Sequence, residues 1–259
     1  MKPKYTTLLL DLDGTVYAGD AEVPGAADFI RRCETAGIRC LFVTNRSNRT
    51  REVVVEQLRS YGIPCEVERV VTTAIATARY LGSGSAYVVG EHGLETALLD
   101  QGIRITDRNA DAVVVSIDRQ FSYDKLKTAC RLIYGGAKFV ATNTDAFLKV
   151  EDGIVPGSGS IVAAVRTGSG REPVVIGKPE PLLYDMALAI CGATPAETLV
   201  VGDNPDAAKQ MGINVNRVRT MTFGFVGLGA GLAGVFAVFI NYTWWPTSGD
   251  GYLLPGLAS

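Results

Sequence analysis

Histidine is almost missing from this chain. A single one, His92, occurs in 259 residues. That scarcity argues against a zinc centre built on imidazoles and against a mechanism that carries phosphate on histidine. His92 itself stands in a GEHG string and reads as a turn residue. Cysteine is sparse as well: Cys33, Cys40, Cys65, Cys130 and Cys191 lie far apart, with no CxxC pair. They read as buried free thiols in a reducing, cytoplasmic setting. Neither sign of charge dominates. Lys and Arg number 25 against 27 Asp and Glu, a formal charge of −2, so nothing draws the chain to nucleic acid. The start does not read as a signal peptide, because Asp11 interrupts an apolar run that is already too short. One stretch lacks charge altogether: no Asp, Glu, Lys or Arg lies between 220 and 249.

What is present concentrates in DLDGTVY, residues 11–17. An apolar run over 5–10 precedes it and reads as a buried strand. Two carboxylates at a strand's end are followed by a Gly-Thr turn, where glycine lets the backbone bend sharply. One carboxylate can face a metal ion and an electrophile while the other reaches a leaving group. The plainer reading is a strand that ends in a solvated acidic turn. Three later segments favour the first. LFVTNRS (41–47) is an apolar strand ending in Thr44 and Asn45; VVIGKPEP (174–181) ends in a turn carrying Lys178; TLVVGDN (198–204) ends in Asp203. In an open parallel sheet the loops after the strands gather at one edge, where ligands bind. A nucleophile, an acid/base, a hydroxyl, a cation and a metal ligand would meet there, a set suited to phosphoryl transfer.

The ordered series DxDGT, Thr-Asn, Lys, Gly-Asp resembles the haloacid dehalogenase (HAD) superfamily of phosphatases. It is closest to subfamily IIA, the NagD / p-nitrophenylphosphatase-like group. VVTTAIATARYL (70–81), YVVGEHGL (87–94) and ATNTDAFLKVEDGIVPGSGSIVAAV (141–165) fit the same subfamily, and the likeness spans 4–204. The resemblance implies that Asp11 attacks phosphorus and forms an aspartyl-phosphate. Asp13 would protonate the leaving oxygen and then activate water. Thr44, with Asn45 beside it, would bind the phosphoryl oxygens, and Lys178 would neutralise charge. Asp11, the Asp13 carbonyl and Asp203 would hold Mg²⁺, consistent with an oxygen-only ligand set. The second Asp separates this group from the dehalogenases, which lack it, and from P-type ATPases, which carry Thr there. Asn143, Asp145 and the loop 156–160 lie where the family's cap approaches substrate, or else form a plain surface loop. Arg46, Arg49 and Arg51 would attract an anionic substrate, or else form a solvated helix start.

The chain alternates strand and helix. Strands are expected near 5–10, 40–43 and 69–72, with helices near 25–36, 51–61 and 74–81 between and after them. On the first helix Ala26, Phe29 and Ile30 recur at helical spacing. A GSGS hinge at 82–85 opens a second block: strands 86–89, 112–116 and 138–140 and helices 93–101, 122–134 and 158–167. The expectation is an α/β fold, a doubly wound parallel-sheet core (1–81 and 176–204) with an inserted α/β cap of C2 type (82–175). Caps of that type contribute to homodimers in the family. A closing cap excludes water and selects the leaving group.

The end of the chain departs from this pattern. TMTFGFVGLGAGLAGVFAVFI (220–240) is long enough to cross a bilayer and spaces Gly227 and Gly231 for helix packing in lipid. Arg217 and Arg219 precede it and Trp244 and Trp245 follow, an arrangement of membrane type. The soluble alternative is a buried glycine-rich core segment. The family's further Asp after GD is absent, since Ala207 and Ala208 occupy its positions. Residues 204–259 resemble instead a sugar-type ABC transporter permease. The tail 205–259 is therefore expected to be a permease-like apolar segment joined to a phosphatase. The function expected is Mg²⁺-dependent hydrolysis of a small phosphate ester, a nucleotide or sugar phosphate, impaired by the foreign C-terminus. The alternatives are a membrane-tethered phosphatase and a non-catalytic phosphate-binding relic.

Overall fold

The computed structural model describes residues 5–150 and 153–202. Asp203, the tail 205–259 and the apolar stretch 220–240 lie outside them. Within the described part, two parallel sheets form, each from short β-branched, apolar strands flanked by helices. The first has four strands in the order Thr198–Val201, Thr7–Asp11, Arg39–Thr44, Val70–Thr72. All its neighbours run parallel and in unbroken register, Leu9 opposite both Leu41 and Val200. The chain leaves Thr7–Asp11 toward one side and returns on the other, which makes that strand the topological switch point. The second sheet has five strands, Val174–Val175, Lys138–Ala141, Ala112–Val115, Ser85–Val89 and Arg104–Ile105.

Burial follows the apolar pattern on both faces of each sheet. Leu8, Leu10, Cys40 and Phe42 pack against helices Ala26–Thr35 and Arg51–Ser60, while Leu9, Leu41 and Val43 face helix Leu182–Cys191. On the first helix Ala27 and Ile30 are buried, but Phe29 is exposed, not on the core face as its spacing suggested. Helix Thr73–Leu81 belongs to both halves. Ala76 packs with Leu9, Leu41 and Val71, and Ala74 and Ala78 pack with Ala86, Val88 and Val114 of the second sheet. Alanine at these positions lets one helix be close to two sheets at once. Gly82 ends it at φ 73°, Gly84 turns at φ 104°, and Ser85 opens the second sheet.

Three features depart from the expectation. Val174–Val175 pairs with Lys138–Ala141, so it extends the second sheet and not the first. Two antiparallel hairpins also form, Tyr17–Ala18 with Ala21–Glu22 and Phe147–Val150 with Gly153–Pro156. Among the described residues no helix is long and apolar enough to cross a membrane, and the span expected at 220–240 is not among them.

Candidate active site

Asp11 closes the switch-point strand, and its carboxylate is nearly enclosed at 12 % side-chain exposure. Its Oδ1 accepts the next residue's N–H, Leu12 N at 2.8 Å. Gly14 then turns at φ 81°, and its N–H donates to Tyr17 O at 2.8 Å. The left-handed φ at this turn is why glycine follows Asp13. Tyr17, 1 % exposed, pegs the far end of the loop into the core. Burial raises its phenol pKa, and the Asp13 charge adds to the effect.

Lys178 reaches Asp11 from the second sheet's edge. Ile176 N and Gly177 N donate to Ala141 O and Thr142 O, 3.0 and 2.8 Å away, and the chain then crosses to the first sheet. The ammonium lies 2.5 Å from Asp11 Oδ1 and 3.5 Å from Val43 O, with the side chain 8 % exposed. Such an enclosed pair is strongly oriented, since each charge has lost most of its water. Burial, followed by the Asp11 charge, raises the Tyr184 phenol pKa on the adjoining helix.

Asp13 lies on the more open side. Arg46 takes it in a fork, Nε to Oδ2 at 3.1 Å and Nη2 to Oδ1 at 2.8 Å. Thr44 Oγ1, buried at the end of its strand, lies 3.4 Å from Asp13 Oδ2 and accepts Arg46 N–H at 3.0 Å. Arg49 turns away to Gln57 Oε1 at 2.8 Å, and Arg51 starts the next helix. His92 is exposed at the first turn of its own helix, beside Thr96.

Asn45 does not point its amide into this space. Its Oδ1 accepts Lys178 N–H at 2.8 Å, while Nδ2 donates to Lys178 O at 2.9 Å and to Asp145 Oδ2 at 3.1 Å. Asn143 Nδ2 donates to the same Asp145 oxygen at 2.7 Å. A buried file of hydroxyls continues from Asn143. Thr142 Oγ1 lies 3.0 Å from Asn143 Oδ1 and 2.9 Å from Ser116 Oγ, which bonds Ser47 Oγ of the first sheet's loop. A hydroxyl has one proton and the amide oxygen only accepts, so Thr142 donates to Asn143, and Ser116 donates to Thr142. Ser47, Thr73, Ser116 and Thr142 are buried polar residues that sequence reasoning missed. Ser116 and Thr142 stand at the ends of AVVVS and KFVAT, and the end-of-strand rule applied to the second sheet would have found them.

Oxygen donors suit a hard divalent cation at this edge. Gly202 packs so tightly that a Cβ there would lie 3.1 Å from Asp11 Cβ and 3.5 Å from Asp11 Oδ2. The residue preceding Asp203 is therefore against the Asp11 carboxylate. Thr15 Oγ1, in the same acidic loop, is buried without a hydrogen-bond partner among the described residues. No group of three His, Cys, Asp or Glu side chains gathers among the described residues, which exclude Asp203.

Comparison with known proteins agrees with this geometry. Residues 8–104 match the family described as haloacid dehalogenase-like hydrolase. Residues 197–259 match a second family, the permease component of branched-chain amino acid transport systems. The chain is 40 % identical over 214 residues to the 5'-nucleotidase YutF of Bacillus subtilis, covering 81 % of this chain and 84 % of that one. It is 42 % identical over 217 residues to an acid sugar phosphatase of Staphylococcus aureus, covering 82 % and 84 %. A crystal structure of a thermostable NPPase from Geobacillus stearothermophilus superposes with TM-score 0.77 at 38 % identity, covering 81 % of this chain and 87 % of that one. The p-nitrophenyl phosphatase of Archaeoglobus fulgidus gives TM-score 0.77 at 30 % identity, covering 81 % and 84 %. The permease match begins before Thr198–Val201, yet that strand pairs in register with Thr7–Asp11. Structurally that strand belongs to the same sheet as Thr7–Asp11.

Proposed function

The chain belongs to the haloacid dehalogenase-like hydrolases, as a NagD / p-nitrophenylphosphatase-like phosphoric monoester hydrolase, and we propose that it cleaves a small phosphorylated metabolite through an aspartyl-phosphate on Asp11. One observation carries the reading: the enclosed Asp11–Lys178 pair at the switch point, with Asp13 two residues further on the same edge. Asp11 oxygen attacks phosphorus as the bond to the leaving oxygen breaks, and Asp13 gives that oxygen its proton. Asp13 then takes a proton from water, which attacks the acyl phosphate, frees phosphate and restores Asp11. Proton transfer of this kind is worth about 10²–10⁴-fold. Arg46 grips both Asp13 oxygens, so one must be released when substrate arrives. Thr44 and Lys178 hold the transferred phosphoryl group.

Charge balance supports the metal. The acid step needs the proton on Asp13, so Lys178 and Arg46 outweigh Asp11 by one charge, and Asp203 with the phosphate dianion then leaves two negative charges to be offset. Asp11, the Asp13 carbonyl and Asp203 would hold Mg²⁺, which would supply that positive charge. Relatives named for nucleotides and sugars support a nucleotide or sugar phosphate as substrate. We assign 1–81 and 176–204 to the core, 82–175 to a C2-type cap and 205–259 to the permease-like tail, in a cytoplasmic protein. Exposed Phe147 and Ile154 on the cap hairpin support a homodimer through the cap. The permease match favours reduced turnover, through a weakened acidic site. It also keeps open a membrane tether at 220–240 and a non-catalytic relic.

The test is hydrolysis of p-nitrophenyl phosphate with Mg²⁺ and with chelator, by the wild type and by Asp11→Asn. Metal-dependent turnover that Asp11→Asn abolishes supports the reading. Turnover untouched by Asp11→Asn sinks it, and a rate equal to that of the intact relatives sinks the impairment. A tethered form would pellet with membranes and resist alkaline wash.

A further inference from the structure

A primary amide has two N–H bonds to give. In Asn45 one goes to Lys178 O and the other to Asp145 Oδ2, while Oδ1 takes Lys178 N–H. Nothing is left on its nitrogen for a phosphoryl oxygen. We propose that Asn45 is a positioning residue for Lys178, clamping its backbone so that the ammonium meets Asp11, and that Asp145 braces the clamp from the second sheet. This deepens the reading above, in which Lys178 holds the phosphoryl group.

Two further contacts show that the fold is built around the clamp. Thr73, fully buried, donates its hydroxyl to Asn45 O at 2.8 Å and so fixes the backbone that carries the amide. Gly177 passes so near that a Cβ would stand 2.6 Å from Asn45 Oδ1 and 2.8 Å from Thr73 Cγ2. Only a residue without a side chain lets the backbone come within bonding range. Lys178 approaches from the second sheet's edge rather than from a strand of the first. The first sheet therefore does not hold it by strand pairing, and the Asn45 amide replaces that pairing with a side-chain donor and acceptor. A displacement of about 1 Å at a reacting group can cost on the order of 100-fold in rate.

The experiment compares wild type with Asn45→Ala and Asp145→Ala by amide hydrogen exchange and by p-nitrophenyl phosphate kinetics. The clamp predicts that exchange over residues 176–180 quickens about tenfold in Asn45→Ala, matching one lost hydrogen bond. Peptides over 7–11 and 39–44 keep their protection, and Asp145→Ala gives a smaller change at the same place. It also predicts a fall in kcat with KM little changed, and no further fall when Asn45→Ala is added to Lys178→Ala. Unchanged exchange at 176–180 overturns the clamp. So does a rise in KM at constant kcat, which would mark a direct substrate contact. The exchange result needs no turnover, so it decides the clamp even if the chain proves inactive, whereas absent turnover tells only against the catalytic reading.

Discussion

Lys178→Met tests whether the two enclosed charges at the switch point depend on one another. The ammonium and carboxylate lie 2.5 Å apart with side chains 8 % and 12 % exposed. Removing one member of such a pair leaves a charge in a poorly hydrated place and costs about 3–5 kcal/mol. That is a large share of the roughly 5–15 kcal/mol that holds a domain together. Asp11→Asn, nearly isosteric, should cost a similar amount by stranding the ammonium. The double variant places an amide against a thioether, with no stranded charge. It should be no less stable than Lys178→Met alone, giving a coupling of at least about 3 kcal/mol, the single cost of Asp11→Asn. Urea unfolding followed by circular dichroism measures all four proteins. With a slope near 3 kcal/mol per molar, the single variants shift the midpoint down by about 1 M. Single costs that sum, to within about 0.5 kcal/mol, to the cost of the double would refute the coupling.

Gly177→Ala puts a methyl 2.5 Å from Thr142 O and 2.6 Å from Asn45 Oδ1. It should lower stability by about 1–3 kcal/mol and lower hydrolysis with it, and a wild-type urea midpoint would disprove the contact. Burial, then the neighbouring Cys33, raises the Cys40 thiol pKa to about 12, and burial raises that of Cys65 to about 11. A raised folded pKa gives stability that is full below the unfolded value of about 8.5 and is lost as pH climbs toward 12. Native protein should resist alkylation at both thiols at pH 8, and Cys40→Ala should flatten the alkaline fall in melting temperature; an unchanged slope counts against it. Hydrogen bonds from Arg119 lower the Glu91 pKa. Its contribution is therefore present above the ordinary Glu range and lost as pH falls through the lower folded value. Glu91→Gln should cost about 1 kcal/mol or less at pH 7, because Arg119 is 75 % exposed. The difference from wild type should vanish in acid, and a difference that persists there would speak against the pairing.

Element by element, the periodic signal transfers well. Helix 25–36 is Ala26–Thr35, helix 122–134 is Tyr123–Tyr134, and strand 112–116 is Ala112–Val115. Each has a long run of one period and a marked boundary, such as Ser122 accepting Lys125 N–H at 3.3 Å. Val174–Val175 reads like any other apolar strand, and only its partner decides which sheet it joins. The two hairpins are too short to display alternation. Phe29 shows the limit of spacing alone. It shares the helical stripe with Ile30, but a helix has room for only part of a stripe against the sheet, and Phe29 falls on the outer margin.

Local chemistry was settled within the chain itself. Asp11 and Asp13 around a turn that needs glycine, a hydroxyl ending one strand and a lysine after another are covalent facts of order, and the parallel sheet gathers such strand ends at one edge. Partner choice belongs to the tertiary structure. Asn45 and Arg46 follow Thr44 as two polar neighbours, and nothing in their order tells that one grips Lys178 while the other takes Asp13. Those bonds join residues 133 and 33 positions apart. The first comes from two sheets packing on one alanine-lined helix and the second from the pairing of Thr7–Asp11 with Arg39–Thr44, since packing and strand order set which side chains come within bonding range.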